Sequence, residues 1–137
     1  MIGKSDQVRI HALDRIQKLK TLSTKFNMPK DVDPEEYFYY CFGIIHDEDV
    51  TPEEIKLKIT WNQANYLRAL PLHHSQKEIE TTENYIIFTY YVKPTFDFSQ
   101  EILSLGEDAE VLSPTAFREE IGNVALKMNR YYQKDKV

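Results

Sequence analysis

The motif LPLHHSQ, residues 70–76, is the densest polar motif of the chain, and its residue types could do chemistry. Imidazoles bind transition metals, and an imidazole beside a hydroxyl can act as its general base. However, we expect adjacent histidines to point in different directions, and the motif supplies no carboxylate or cysteine. We therefore expect neither a metal site nor a catalytic residue. Two interpretations of His73, His74, Ser75 and Gln76 stay open: a loop whose side chains cap backbone groups, and a hydrogen-bonding edge for a ligand or another subunit.

Two lysines, Lys56 and Lys58, alternate with apolar residues in EIKLKIT, which is typical of a half-buried strand. The aromatic run YIIFTYYV, residues 85–92, predicts a second strand whose outer side chains share the lysines' face. Aromatic rings interleaved with lysines could stack bases, but Glu78 and Glu80 of a neighbouring strand could face the same way and repel phosphate. An aromatic open face also suits a dimer interface, which we favour over nucleic acid.

Known phosphate and RNA motifs fit the sequence poorly. The stretch ITWNQANYLR offers Arg68 as a candidate ligand-binding residue but has no glycine, which argues against a phosphate loop of the acylphosphatase type. The run YIIFTYYV lacks the glycines and the basic residue of an RNA-recognition motif.

The elements that position these residues follow from periodicity and capping signals. From residue 54 we predict a strand over 54–60, a helix over 61–70, and strands over 75–81 and 85–92. A helix with Phe98, Ile102 and Leu105 inward, a short strand over 109–112 and a long helix after Ser113-Pro114 follow. The predicted stripe of that last helix consists of Phe117, Ile121, Val124, Ala125, Met128 and Tyr132. This order predicts an α+β, ferredoxin-like β-α-β-β-α-β domain with an extra C-terminal helix.

The N-terminal part should contain a strand and a helical linker. Residues 8–13 alternate like a strand, and Asp14 is a candidate N-cap for a short helix or turn through Leu19. Asp33-Pro34 should start a helix over residues 35–42 that is aromatic on nearly all sides, and Gly43 should end it. A lone strand and an aromatic helix both need packing partners. We therefore hypothesise an exchanged dimer in which both segments pack across a two-fold axis.

Composition limits the possible classes. The chain has 137 residues, a net charge of -5 and one cysteine, Cys41, which we expect to be a small core residue. Residues 1–30 carry a net charge of +5 and residues 31–60 carry -7. No stretch approaches the roughly 20 apolar residues of a membrane span, and no secretory signal is visible. We expect a cytoplasmic protein without a membrane partner, and the acidic body argues against broad DNA coating.

An ordered set of short motifs resembles the C-terminal part of WYL-domain transcriptional regulators of Bacteroidetes type. ALDRI, residues 12–16, is similar to the end of a WYL domain, and DPEEYFYYCFGI, residues 33–44, resembles the linker of such members. IKLKIT, RALPLHHSQ, YIIFTYYV, EILSLGEDAEVLSP and FREEI resemble the C-terminal extension called WCX. The resemblance divides the chain into a WYL strand fragment (1–22), a linker (23–53) and a WCX domain (54–137).

This resemblance implies a homodimer that senses an effector, with nucleic acids or nucleotides as the ligand class. Arg15 is the one residue that transfers by position as a possible pocket residue. Operator DNA would be bound through an N-terminal helix-turn-helix domain, which this sequence does not contain, and Trp61 is not followed by the Tyr-Leu of the family's Trp-Tyr-Leu run.

Two functions remain open. The first is the regulatory, effector-sensing and dimerisation portion of a transcriptional regulator. The alternative is a free-standing ferredoxin-like domain that binds a small molecule or nucleotide. We expect neither enzymatic activity nor a cofactor, because no acid–base pair or nucleophile constellation is recognisable.

Overall fold

The computed structural model describes residues 11–27, 30 and 33–133, which belong to two compact units, residues 1–31 and 32–137. In the first unit a short 3-10 turn spans Leu13–Arg15. Residues 8–10 of the predicted strand lie outside the described residues, and the prediction is wrong for residues 11–13, which form no strand. Asp14 lies inside the turn and does not cap it. The alternation of apolar and polar residues alone was not enough to predict a strand, because a strand satisfies its backbone hydrogen bonds only by pairing with another strand.

The second unit contains the predicted β-α-β-β-α-β order followed by a long helix. Its elements are α1 (Pro34–Phe38), β1 (Glu53–Thr60), α2 (Trp61–Ala69), β2 (Lys77–Thr81), β3 (Tyr85–Val92), α3 (Phe96–Ser104), β4 (Ala109–Ser113) and α4 (Thr115–Gln133). The four strands form one antiparallel sheet in the order β2-β3-β1-β4. This order confirms the ferredoxin-like α+β fold, in which α2 and α3 connect strands across the sheet.

One face of the sheet carries the core. Alternate residues of β1 and β3 are buried there: Ile55, Leu57, Ile59, Ile86, Phe88, Tyr90 and Val92. The helices add Ala64 and Leu67 from α2, Phe98 and Ile102 from α3, and Phe117 from α4. Phe98 stacks on Phe117 with ring centroids 5.8 Å apart, which joins α3 to the start of α4. The period-two and helical patterns of the sequence therefore located most of the core correctly.

The last helix leaves the core after its first turns. Of the predicted stripe, Phe117 is buried and Ile121 and Val124 are half-buried, whereas Met128 and Tyr132 are exposed. A helix of 19 residues is about 28 Å long. The five residues of β4 span only about 17 Å. The second half of α4 therefore extends past the strand against which its first half packs.

The predicted aromatic helix is shorter than expected. The Asp33 carboxylate caps its start by accepting a hydrogen bond from the Glu35 amide at 2.9 Å, but α1 ends at Phe38 and not at Gly43. Residues 39–42 instead run along the domain: the Tyr40 carbonyl accepts from the Lys93 amide at 2.8 Å, and Cys41 is buried as predicted. This segment finds packing partners within its own unit, so the reason given for exchanging it across a dimer no longer holds.

A close approach to the Asp97 side chain marks the end of that segment. A Cβ atom on Gly43 would lie 2.6 Å from Oδ2 of Asp97, so a larger residue here would displace that carboxylate. The same Asp97 carboxylate accepts hydrogen bonds from the Ile45 amide and the Thr95 hydroxyl, at 3.4 and 2.6 Å. Asp97 thereby holds residues 43–45 against the start of α3.

Candidate functional site

The histidine loop, residues 70–76, joins the linker segment to the free edge of the sheet. Nε2 of His73 lies 3.2 Å and Nε2 of His74 lies 2.7 Å from one oxygen, the Tyr39 carbonyl. A carbonyl only accepts hydrogen bonds, so both nitrogens carry their protons. The expectation that adjacent histidines point apart is wrong, because the loop bends and brings their ring centroids within 4.0 Å.

A hydrogen-bond chain orients the buried imidazole of His73. Its Nδ1 lies 2.7 Å from Oγ of Ser75 and also accepts from the Ser75 amide at 3.2 Å. The Ser75 hydroxyl in turn accepts from the Tyr91 amide at 2.9 Å. Burial, and then the neighbouring His74, lower the pKa of His73 below its usual range, so the ring stays neutral. Ser75 lies shortly before the first residue of β2 and thereby continues the hydrogen bonding along β3.

Gln76 has a structural role at the end of the loop. Its Oε1 accepts from the Leu72 amide at 3.1 Å and from the buried Tyr90 hydroxyl at 2.9 Å, and its Nε2 donates to the Leu67 carbonyl at 2.8 Å. Burial raises the pKa of Tyr90, which keeps the phenol a donor. One side chain therefore fastens the loop to α2 and to β3. Of the two interpretations of the motif, the loop whose side chains cap backbone groups is confirmed for Ser75 and Gln76.

The second candidate surface is the face of the sheet opposite the core, here called the open face. Strand register places on it alternate residues from all four strands: Glu54, Lys56, Lys58 and Thr60; Lys77 and Glu80; Tyr85, Ile87, Thr89 and Tyr91; Glu110 and Ser113. Lys56 lies opposite Thr89, and Lys58 lies opposite Ile87. The predicted grouping of the two lysines with the outer residues of β3 is confirmed.

The strand residues that define the open face carry no net charge, and Arg118 of α4 pairs with one of them, Glu110, at 2.9 Å. The open face has three lysines and three glutamates, and two pairs approach closely: Lys56 Nζ to Glu54 and Lys58 Nζ to Glu110, each at 3.6 Å. Lys58 also lies over the Tyr85 ring, 4.9 Å from its centroid. Such exposed pairs contribute little stability, but they offset the positive potential that a polyanion would need.

The two glutamates of β2 do not share the open face. A bulge between Glu78 and Glu80 shifts the register, so Glu78 pairs with the core residue Phe88 and Glu80 pairs with Ile87. Glu80 accepts from the Tyr85 hydroxyl at 2.9 Å. The expectation that both acids could face the same way is therefore wrong, and a bulge of this kind has no signature in the sequence KEIET.

Arg68 belongs to neither surface. Its guanidinium donates to both carboxylate oxygens of Glu78, at 2.9 and 2.7 Å, and to Oδ1 of Asn65 at 3.2 Å. It also lies over the Trp61 ring, 5.3 Å from its centroid. Arg68 thereby ties α2 to the edge strand, a role that leaves few donors for a ligand. The remaining candidate, Arg15, lies in the 3-10 turn of the first unit.

A small cavity of about 270 Å³ opens at one end of the open face. Its lining consists of Lys58, Thr60, Asn84, Tyr85, Glu107, Asp108 and Glu110. The Thr60 hydroxyl donates to Asp108 at 2.5 Å, and the Arg118 guanidinium, ahead of Lys58, lowers the pKa of Glu110. Most of the polar groups here already bond to one another.

The predicted site residues therefore separate into three places in the second unit: the histidine loop, the open face and the α2–β2 ion pair. Sequence reasoning missed Tyr39, whose backbone carbonyl is the common partner of both histidines. It also missed Asp97; the Thr95-x-Asp97 spacing at the start of a helix was the available signal. Within the described residues, no three His, Cys, Asp or Glu side chains converge on one metal position. None of the helices in that part of the chain is long and apolar enough to cross a membrane.

Comparison with known proteins gives one family match. Residues 51–128, more than half of the chain, match the WCX domain, which occurs in WYL-domain regulators. The predicted resemblance to a WCX extension is confirmed over that range, whereas the resemblance of residues 12–16 to a WYL domain stays a prediction. No curated protein matches the chain.

Proposed function

The chain belongs to the WCX domain family, and from this premise we propose that it is the C-terminal regulatory portion of a transcriptional regulator of the WYL type. In this role it performs no bond-breaking reaction; it dimerises, and it passes the effect of ligand binding to the rest of the regulator. Operator binding is assigned to a helix-turn-helix domain of the regulator and not to these 137 residues.

The balanced charge of the open face is the observation that carries the dimerisation part of the proposal. An isologous interface brings the same patch of two copies together, so each charge needs an opposite charge within the patch. Three lysines and three glutamates meet that need, and Tyr85, Ile87 and Tyr91 supply apolar contact area. A nucleic-acid surface would instead require an excess of lysine or arginine.

The histidine loop supports the transmission part of the proposal. Residues 39–45 are fastened to the domain by the two imidazoles at the Tyr39 carbonyl, by the Lys93 amide and by Asp97. A displacement of the domain would therefore move these linker residues together with the domain. An effector of the nucleotide or nucleic-acid class would act through the regulator's WYL part, to which Arg15 would belong.

Light scattering of the purified chain, coupled to size exclusion, tests the proposal. We expect a dimer at micromolar concentration, and Tyr91→Glu should produce a monomer because it places an unpaired charge in the interface. Tyr66→Glu is the matched control, since Tyr66 is exposed on α2, on the other side of the sheet. A monomeric parent chain, or equal effects of the two substitutions with folding intact by circular dichroism, would refute the dimer assignment.

The effector part has its own test. Titration of the full-length regulator with labelled single-stranded oligonucleotides and with nucleotides should produce saturable binding that shifts its affinity for operator DNA. Arg15→Gln should weaken the binding of the effector. In the absence of effector, the affinity for operator DNA should stay unchanged. No coupling with any member of this ligand class would remove the effector assignment while leaving the dimer test untouched.

A further inference from the structure

All three histidines of the second unit contact one short stretch of the linker segment, Tyr37 to Tyr39. The ring of His46 stacks on Tyr37 with centroids 3.9 Å apart. His73 and His74 both donate to the Tyr39 carbonyl, at 3.2 and 2.7 Å, and the ring of His74 lies 4.3 Å from that of Tyr39. Histidine is the side chain that ordinarily changes its charge between pH 5 and 8. The contacts of this stretch therefore depend on groups that a change of pH can alter.

The shared acceptor holds the rings of His73 and His74 close together. Because both N–H groups point at one oxygen, the two ring centroids are only 4.0 Å apart. Two imidazolium charges at this separation repel each other, and they do so more strongly in a partly buried site than in water. Neutral rings therefore fit the arrangement, whereas two protonated rings are forced together for as long as Tyr39 stays in place.

The surroundings of His73 favour its neutral form. Its side chain is buried, and its Nδ1 accepts a hydrogen bond from the Ser75 amide at 3.2 Å, which a proton on this nitrogen would displace. Burial, and then the neighbouring His74, lower the pKa of His73 below its usual 6.5. Docking that depends on the neutral ring is therefore most stable above pH 6.5 and loses stability as the pH falls below it.

The elements bonded to the histidine loop supply little to offset a positive charge on the pair. Within the described part of the chain, no carboxylate forms a hydrogen bond or ion pair with either ring. The other ionisable groups on these elements are phenols, one lysine and an ion pair that is already closed: Tyr39 of the linker segment, Tyr90 and Tyr91 of β3, Lys77 of β2, and Arg68 of α2 with Glu78 of β2.

We propose that His73 and His74 form a pH-sensitive latch on the linker segment. Proton uptake below about pH 6 drives the two rings apart, breaks their shared contact with the Tyr39 carbonyl, and releases α1 and Tyr39 from the domain. His74 is exposed, so once Tyr39 leaves, its ring can turn into solvent and the two charges separate. The latch does not depend on the regulator assignment, because it needs only the histidine loop and the linker segment of this chain.

The release should end at Tyr40. The Tyr40 carbonyl accepts from the Lys93 amide at 2.8 Å, and the Lys93 ammonium donates to the Asp47 carbonyl at 2.6 Å. The Asp97 carboxylate holds the Ile45 amide at 3.4 Å. None of these contacts involves a histidine, so residues 40–47 should stay docked while the stretch before them is free.

Nitrogen-15 relaxation of the labelled chain, measured by NMR between pH 7 and pH 5, tests the latch. We expect order parameters near 0.85 for the amides of Tyr37 and Tyr39 at pH 7 and below about 0.6 at pH 5. The Lys93 amide should stay rigid at both. His74→Gln should move the release to lower pH, since it removes one of the two charges. His11→Gln removes an exposed histidine of the first unit and should leave the release unchanged.

A further variant separates the pair from the third histidine. His46→Phe keeps a ring stacked on Tyr37 but cannot take up a proton, so its release should match that of the parent chain. Nδ1 of His46 is buried with no hydrogen-bond partner among the described residues, so the substitution removes no bond there. The proposal is overturned if the stretch is equally ordered at both pH values, if the Lys93 amide loses its order together with it, or if His74→Gln releases at the same pH as the parent chain.

Discussion

At the scale of single residues, Gln76 contributes most to holding the histidine loop in place. Its amide group bonds to the Leu72 amide, the Tyr90 hydroxyl and the Leu67 carbonyl. Because Tyr90 is buried, the loss of its acceptor would leave an unsatisfied donor in the core. The loop conformation that aligns the two histidines therefore depends on the neighbouring Gln76 side chain.

We expect Gln76→Ala to lower the free energy of unfolding by about 2–3 kcal/mol, since a buried polar group loses its partner. Urea denaturation followed by circular dichroism measures this change. Gln100→Ala is the matched control, because Gln100 is exposed on α3, and it should stay within about 0.5 kcal/mol of the parent. Equal stabilities of the two variants would show that the Gln76 contacts are dispensable.

The ion pair between Arg68 and Glu78 predicts a pH dependence. The Arg68 guanidinium, helped by the Thr81 hydroxyl, lowers the pKa of Glu78 from 4.5 to about 2. A lowered carboxyl pKa adds stability that is present above pH 4.5 and is lost as the pH falls towards 2. Both side chains are exposed to solvent, which screens the pair, so the contribution to stability should be small.

Glu78→Gln should therefore be less stable than the parent chain at pH 7 and equally stable near pH 2. Urea denaturation across this range measures the difference. Arg68→Gln should remove the same pH-dependent difference, because the carboxylate then lacks its donor. A constant offset between parent and Glu78→Gln at every pH would contradict the role of the ion pair.

At the scale of elements, the linker segment behaves as part of the domain. Phe42 contacts Phe98 edge-on with ring centroids 5.6 Å apart, and the neighbouring Cys41 is buried, which raises the pKa of its thiol. The native chain should therefore react slowly with a thiol reagent such as DTNB, since the thiolate is the reactive form.

Phe42→Ala should expose Cys41 and raise its DTNB reaction rate at least tenfold, with a loss of about 2 kcal/mol in stability from the partly buried ring. Phe96→Ala is the control, because Phe96 is 70% exposed. If the linker were not docked in solution, Cys41 would react rapidly with DTNB in the parent chain. Phe42→Ala would then have no effect on the reaction rate of Cys41.

Local patterns predicted most elements, and the failures have physical causes. Alternating apolar residues located β1 and β3, and proline and glycine located several helix ends. The early end of α1 at Phe38 and the exposed end of α4 depended on packing surfaces and element lengths that no local pattern encodes. The grouping of the site residues was also hidden, since the convergence of two histidines on Tyr39 depends on contacts 34 and 35 residues apart.

At the scale of the whole molecule, we propose a WCX domain whose open face meets a second copy of the chain and whose linker segment moves with the domain. Sheets that pack face to face lie roughly 10 Å apart. Residues of the open face should therefore lie near their counterparts in the partner, while the exposed end of α4 should lie further away.

Pulsed electron paramagnetic resonance of chains spin-labelled at Ser113→Cys, an uncharged position of the open face, measures this most directly, with Lys127→Cys on α4 as the comparison. We expect a short and well-defined distance between the two labels at Ser113 and a longer one at Lys127. No intermolecular distance at Ser113, or a shorter one at Lys127, would contradict dimerisation through the open face.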